Sequence, residues 1–155
     1  MPDYTILISV IAMRVIMGLR FVFPGWGLIM AGQGTAKQYT QHIEGPFANF
    51  FRKLAEYKTI EYLNKWGMFI TGLMLVFGFL TRLFAYGAIF LMAVYWLTRW
   101  PFKEGIVTEH IVNIAALLFL IFTHAGIIFG FDTLLLQIPS VLKLFSSSAI
   151  ARLIF

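Results

Sequence analysis

Apolar residues run almost unbroken from Ile6 to Met30, and further apolar runs follow at roughly Ile60 to Leu80, Leu83 to Leu97 and Thr108 to Asp132. A helix needs ~20 residues to span hydrocarbon, so the pattern predicts four crossings joined by short connections. The first helix is expected from about Thr5 to Met30, with Pro24 in its second half. Lys65 and Trp66 read as interfacial anchors of the second crossing. "GFLTRLFAYG" turns the chain back with Arg82 as its single charge, and Trp96, Arg99 and Trp100 form a belt ahead of Pro101. The last run opens at Thr108 and Glu109, and Asp132 is expected as its solvated end.

Between the first two runs the chain is too polar to span. Phe47, Phe50, Phe51 and Leu54 nevertheless fall at i, i+3, i+4 and i+7, with Arg52, Lys53 and Glu56 on the other side and Pro46 ahead. This spacing predicts a short amphipathic helix, either lying in the membrane interface or packed as a lid over helix ends. From Thr133 to Phe155 apolar patches are interrupted by Pro139, Lys143, Ser146, Ser148 and Arg152, which predicts an interfacial helix, with a fifth crossing as the alternative. The expected fold class is therefore an all-α membrane protein. It is a four-transmembrane-helix bundle with an amphipathic interfacial helix between the first two crossings and an interfacial C-terminal helix, in a single integral membrane domain spanning 1–155.

Composition agrees: 60% of the 155 residues are hydrophobic and 12% charged, far from the balance of a soluble domain. The expected location is the plasma membrane, crossed several times, with lipid as a partner. The net charge of +5 comes from cations scattered through connections, where they meet anionic lipid, so nucleic acid is not an expected partner. Lys37, Arg52, Lys53, Lys58, Lys65, Arg99 and Lys103 share one face, and Arg82, Lys143 and Arg152 the other, which places the first set in the cytoplasm. "MPDYTILISVIAMR" has no basic leader and reads as a retained helix. With no cysteine, thiol exchange, iron–sulfur ligation and covalent haem attachment fall away. No metal-ligand spacing appears, and neither metal nor haem is expected.

The residues that do not belong in oil are the candidates for chemistry. Arg14 and Arg20 lie inside the first helix, Arg14 about 13 Å from its start at ~1.5 Å per residue. At such depth an arginine costs at least ~2.5–3.5 kcal/mol and should face protein, water or a ligand. His124 on the last run falls at a depth similar to Arg14, and Gly18, one turn after Arg14, allows close helix approach on that face. Arg20 points about 120° away from Arg14, toward Glu109 or Asn113, with His110 adjacent. Arg14, Glu109, His110 and His124 form the candidate catalytic set; Arg14, Gly18, Arg20 and Asn113 are the candidate binding set. Reducing a quinone builds negative charge on oxygen and consumes protons, which suits an arginine with a histidine or carboxylate. Arginine also holds oxyanions bidentately. Tying helices together is the alternative role for each of these side chains.

"RVIMGLRFVFPGWGLIMAG", "GLMLVFGFLTRLFAYG" and "EHIVNIAALLFLIFTHAGIIFGFDTLL" together resemble the DoxX/DoxD family of small four-helix membrane proteins, over about 12–135. Arg14, Gly18, Arg82, Glu109, His110, Gly126 and Asp132 match family-type positions. The resemblance implies a subunit of a thiosulfate:quinone oxidoreductase, with quinone as diffusible electron acceptor, thiosulfate or a similar sulfur oxyanion as donor, and a DoxA-type second subunit. The competing reading is a non-catalytic accessory or anchoring subunit of a respiratory complex such as a terminal quinol oxidase. An anion transporter is a third.

Overall fold

The computed structural model describes residues 4–99, 107–128 and 130–138, all of it helix and connection. In chain order the helices are α1 (Tyr4–Met30), α2 (Thr35–Gln41), α3 (Ala48–Ala55), α4 (Lys58–Phe77), α5 (Thr81–Leu97), α6 (Glu109–Phe122), α7 (Ala125–Ile128) and α8 (Phe131–Leu136). The chain is an all-α membrane protein. Among the described residues α1 is the one helix both long and apolar enough to cross a membrane, while α5 and α6 are apolar but shorter, at 17 and 14 residues. The expected C-terminal interfacial helix falls, from residue 139 on, outside the described residues, as do Trp100, Pro101 and Lys103.

The most extensive packing joins α1 to α4, and glycine sets its distance. A Cβ on Gly18 would lie 2.8 Å from Gly72 O, one on Gly72 would lie 2.5 Å from Val22 N, and one on Gly25 would lie 2.6 Å from Phe69 N. Here the two backbones touch, which small residues alone permit. The helix that Gly18 admits is therefore α4 and not the last apolar run. Spacing showed a gap in the side-chain wall without showing which neighbour fills it. Around this pair α5 and α6 complete a core of Met17, Phe21, Met68, Leu75, Ala88, Met92, Leu117 and Leu120.

The last apolar run is not one helix. It breaks after Phe122 and restarts at Ala125, with His124 in the left-handed region at φ 52. A break frees backbone carbonyls that need new donors. Arg82 Nε donates to Ile121 O at 3.3 Å, Arg14 Nη1 donates to Ala125 O at 2.8 Å, and Thr123 Oγ1 turns back onto Phe119 O at 2.8 Å. Arginines from two other elements thus hold the broken segment open, which no local propensity announces.

The connection from α1 to α4 folds over the end of α5. Phe51, Ile43 and Ala48 are buried there against the half-buried Val94 and Leu97, and Arg52 ties the segment after α2 to α3 by donating to Ile43 O at 3.1 Å. The stripe read from the sequence divides: Phe51 is buried and Leu54 half-buried, while Phe47 and Phe50 are exposed.

Candidate functional site

The polar side chains collect in two layers toward opposite ends of α5, whose 17 residues rise about 25 Å; on α1 the arginines that enter them, Arg14 and Arg20, stand about 9 Å apart. The first layer is built where the α4–α5 turn meets α7 and α8. Gly78 ends α4 at φ 68, and the chain passes through Leu80, also left-handed at φ 46, into Thr81. Asp132 reaches back to this turn: Leu80 N and Thr81 N donate to its two carboxylate oxygens at 2.5 and 3.0 Å, and its own N–H donates to Gly78 O at 2.9 Å. Its carboxylate stands at the N-terminus of α5, where the helix dipole favours an anion. Asp132 is 1% exposed, so the solvated end expected from sequence is instead a buried cap.

Arg14 enters this layer from α1 and is 3% exposed. Its Nη1 bonds Ala125 O, lies 2.6 Å from where a Gly78 Cβ would sit and 2.9 Å from that of Gly130, and its charge attracts Asp132. Gly126 completes the cradle, since a Cβ there would collide with Asp132 Oδ2 and Thr81 Oγ1. His124 does share the depth of Arg14, but its ring turns to Arg82, whose Nη2 lies 2.8 Å from Nε2. The sequence brought the two residues to one level; the structure gives them separate partners.

The second layer lies under α2 and α3. Arg20 meets Glu109 at 3.5 Å, and Arg99 meets the other oxygen of the same carboxylate at 3.3 Å. His110 stacks on Tyr95 with ring centroids 6.3 Å apart, and both its ring nitrogens are buried without a hydrogen bond. Glu109 Oε1 stands 4.0 Å from His110 Nε2, beyond a hydrogen bond. Tyr95 exchanges hydrogen bonds with Asn64 at 2.8 and 3.1 Å and packs edge-on against Tyr39, whose hydroxyl lies 3.0 Å from Thr98 Oγ1. Asn113 is buried nearby, its amide 3.8 Å from Met92 Sδ. Of the candidate residues, then, Arg14 and His124 belong to one layer, and Arg20, Glu109, His110 and Asn113 to the other. Gly18 belongs to neither layer and serves the α1–α4 contact.

The chain matches the DoxX family over residues 9–100, which takes in both layers from the α1 and α5 sides. The chain belongs to the DoxX family. No curated protein and no solved structure matches it. In this DoxX protein the matched segment ends before α6, so Glu109, His110, His124 and Asp132 are contributed by chain beyond it.

Three groups escaped the sequence reading. Lys65, taken as an interfacial anchor, is buried against Glu61 at 2.6 Å and also bonds Gly32 O, while Thr35 donates to Glu61 Oε1 through both N and Oγ1 at 3.1 Å. The i,i+4 spacing of Glu61 and Lys65 was the available signal. Tyr95, Asn64 and Thr81 looked like ordinary positions in apolar helices, and Arg82 was read as the charge of a turn and a family-type position, without its partners Ile121 O and His124. Among the described residues no group of three or more His, Asp or Glu side chains is placed to hold a metal ion.

Proposed function

We propose that this DoxX protein is a non-catalytic accessory subunit that anchors or stabilises a respiratory membrane complex, a terminal quinol oxidase being the kind of complex it serves. The observation that carries the reading is the enclosure of Arg14. Its guanidinium joins α1 to the α4–α5 turn, α7 and Asp132 at once, and the glycine cradle leaves no space beside it for a ring or an oxyanion. A buried charge in that position works as a fastener, because removing one partner leaves the other uncompensated at a cost of about 3–5 kcal/mol. In this reading α1, α4, α5 and α6 with α7 are four crossings of one domain in the plasma membrane. The connection formed by α2 and α3 rests in the interface.

A second reading rests on the other layer. A DoxD-like subunit of a thiosulfate:quinone oxidoreductase, working with a DoxA-type partner, needs a protonatable group and a cation beside quinone. His110, with two unbonded ring nitrogens next to Glu109 and Arg20, is the cluster that favours it. A quinone acting as acceptor would be met by these residues and not by Arg14.

In the intact host complex Arg14→Leu tests the fastening role and His110→Phe separates the two readings. The accessory role expects less assembled complex after detergent extraction, with unchanged turnover per assembled complex. Full assembly with turnover abolished, or thiosulfate-dependent quinone reduction that disappears with His110→Phe, would overturn it.

A further inference from the structure

Arg14 and Arg20 share one helix, yet the chain treats them differently. Arg14 is enclosed, whereas the side chains of Arg20 and Glu109 are 49% and 53% exposed. A guanidinium carries five N–H donors. Among the described residues the one bond of Arg20 is to Glu109, at the long limit of 3.5 Å, and that carboxylate is shared with Arg99.

The surroundings of this half-served cation are apolar. Ile16 and Phe23 stand on the same stripe of α1, four positions before and three after Arg20, and both are exposed. Val112 and Phe119 are exposed on α6, three and ten positions after Glu109. Past Arg20, α1 continues through apolar residues 21–30, about 15 Å further. Gly27, seven positions on, has open space where a Cβ would be, so a neighbouring backbone can come close there. Charged side chains within an apolar band of a membrane protein face protein or water and carry a partner.

We infer that the surface where α1 meets α6, at Arg20 and Glu109, receives a membrane helix of a partner protein that presents an Asp or Glu side chain to Arg20. The inference rests on the accessory role proposed above and names the face and chemistry of the contact. A carboxylate is the fitting group because it takes two parallel N–H bonds from one guanidinium, which Glu109, already bonded to Arg99, does not. Apolar side chains of the incoming helix would cover Ile16, Phe23, Val112 and Phe119.

The test places a photocrosslinking residue at Phe23 or at Val112 in the assembled complex in native membranes and maps the adduct by peptide sequencing. The expected adduct lies on a membrane segment of another subunit that contains Asp or Glu. Arg20→Gln should lower its yield at least tenfold, and Arg20→Lys, which keeps the charge without the two parallel N–H bonds, should lower it by less. Reversing both charges, Arg20→Glu here and the mapped acid to arginine there, should restore it. Monodisperse behaviour of each variant in detergent keeps a folding defect from imitating the result. An adduct on phospholipid alone, on a second copy of this chain, or on a helix without an acid overturns the inference, as does an adduct indifferent to Arg20→Gln. The accessory role itself would survive the last two outcomes, since another subunit would still be bound; it is judged separately by the Arg14→Leu complex.

Discussion

Asp132 accepts the backbone N–H of Thr81 at 3.0 Å across 51 residues of sequence. That one contact fixes the start of α5 to the start of α8. Because Asp132 also returns its own N–H to Gly78 O, the turn and the cap hold each other reciprocally. Arg14 then supplies the opposite charge that lets a carboxylate remain at 1% exposure.

Asp132→Ala should therefore destabilise the protein by about 3–5 kcal/mol, since it strands Arg14 and uncaps α5 together. The double variant with Arg14→Leu should lose less than the sum of the two singles, with a coupling of about 0.5–3 kcal/mol. Denaturant titration in detergent micelles measures both; strict additivity would show that the two charges do not act as a unit.

Alanine at Gly72 or Gly126 should sharply reduce folded yield. At Gly72 the obstacle is Val22 N, a backbone atom that cannot turn aside, and at Gly126 it is the Asp132 carboxylate. Overpacking costs about 1–3 kcal/mol where side chains yield, so the upper end applies here. Gly67→Ala and Gly87→Ala meet open space and should be neutral or stabilising by up to about 1 kcal/mol. Size-exclusion profiles of the four variants make the comparison.

Lys65→Met should be strongly destabilising, because Glu61 would stay buried with only Thr35 to serve it. The pair Glu61→Leu with Lys65→Met should recover most of the loss, since an apolar pair of similar volume often equals a buried ion pair. Thermal unfolding of the two variants side by side decides the point; a double variant as weak as the single would mean that the bond from Lys65 to Gly32 O matters more than the charge balance.

His110→Phe should be neutral or stabilising by about 1–3 kcal/mol, because the change removes two buried ring nitrogens that have no partner and keeps the stack on Tyr95. The same substitution should leave the turnover of the host complex unchanged under the accessory role. Tyr95→Phe should instead cost about 1–3 kcal/mol by leaving Asn64 unsatisfied.

Much of the helical framework was legible from hydrophobic runs alone, and the cost of an arginine at depth left protein, water or a ligand as surroundings for Arg14, which the structure encloses in protein. Helix geometry offered Arg20 either Glu109 or Asn113, and the structure pairs it with Glu109. Other features were illegible for identifiable reasons. Asp132 follows a glycine-rich stretch at the end of an apolar run, where an exposed end and a buried cap have the same local sequence. The break at His124 depends on Arg14 and Arg82 arriving from elsewhere, and the apolar pattern continues straight through it. Gly18 showed that some helix comes close, but antiparallel α4 and α6 offer equally suitable backbones to a reader of one strand of text. The functional reading was limited in the same way: charge at depth marks importance, and only the surroundings distinguish a fastener from a reagent.

One feature of α1 sets the posture of the whole molecule. Its 27 residues extend about 40 Å, while α5 covers about 25 Å, and hydrocarbon is ~30 Å thick. A helix longer than its bilayer tilts or thickens the lipid around it, and one shorter thins it. Because Arg14 clamps the long helix to the short ones at a fixed level, neither can adjust alone. In the four-crossing arrangement proposed above, bilayer thickness thus acts as a lever arm, and thicker or thinner membranes should rotate the bundle as a rigid unit.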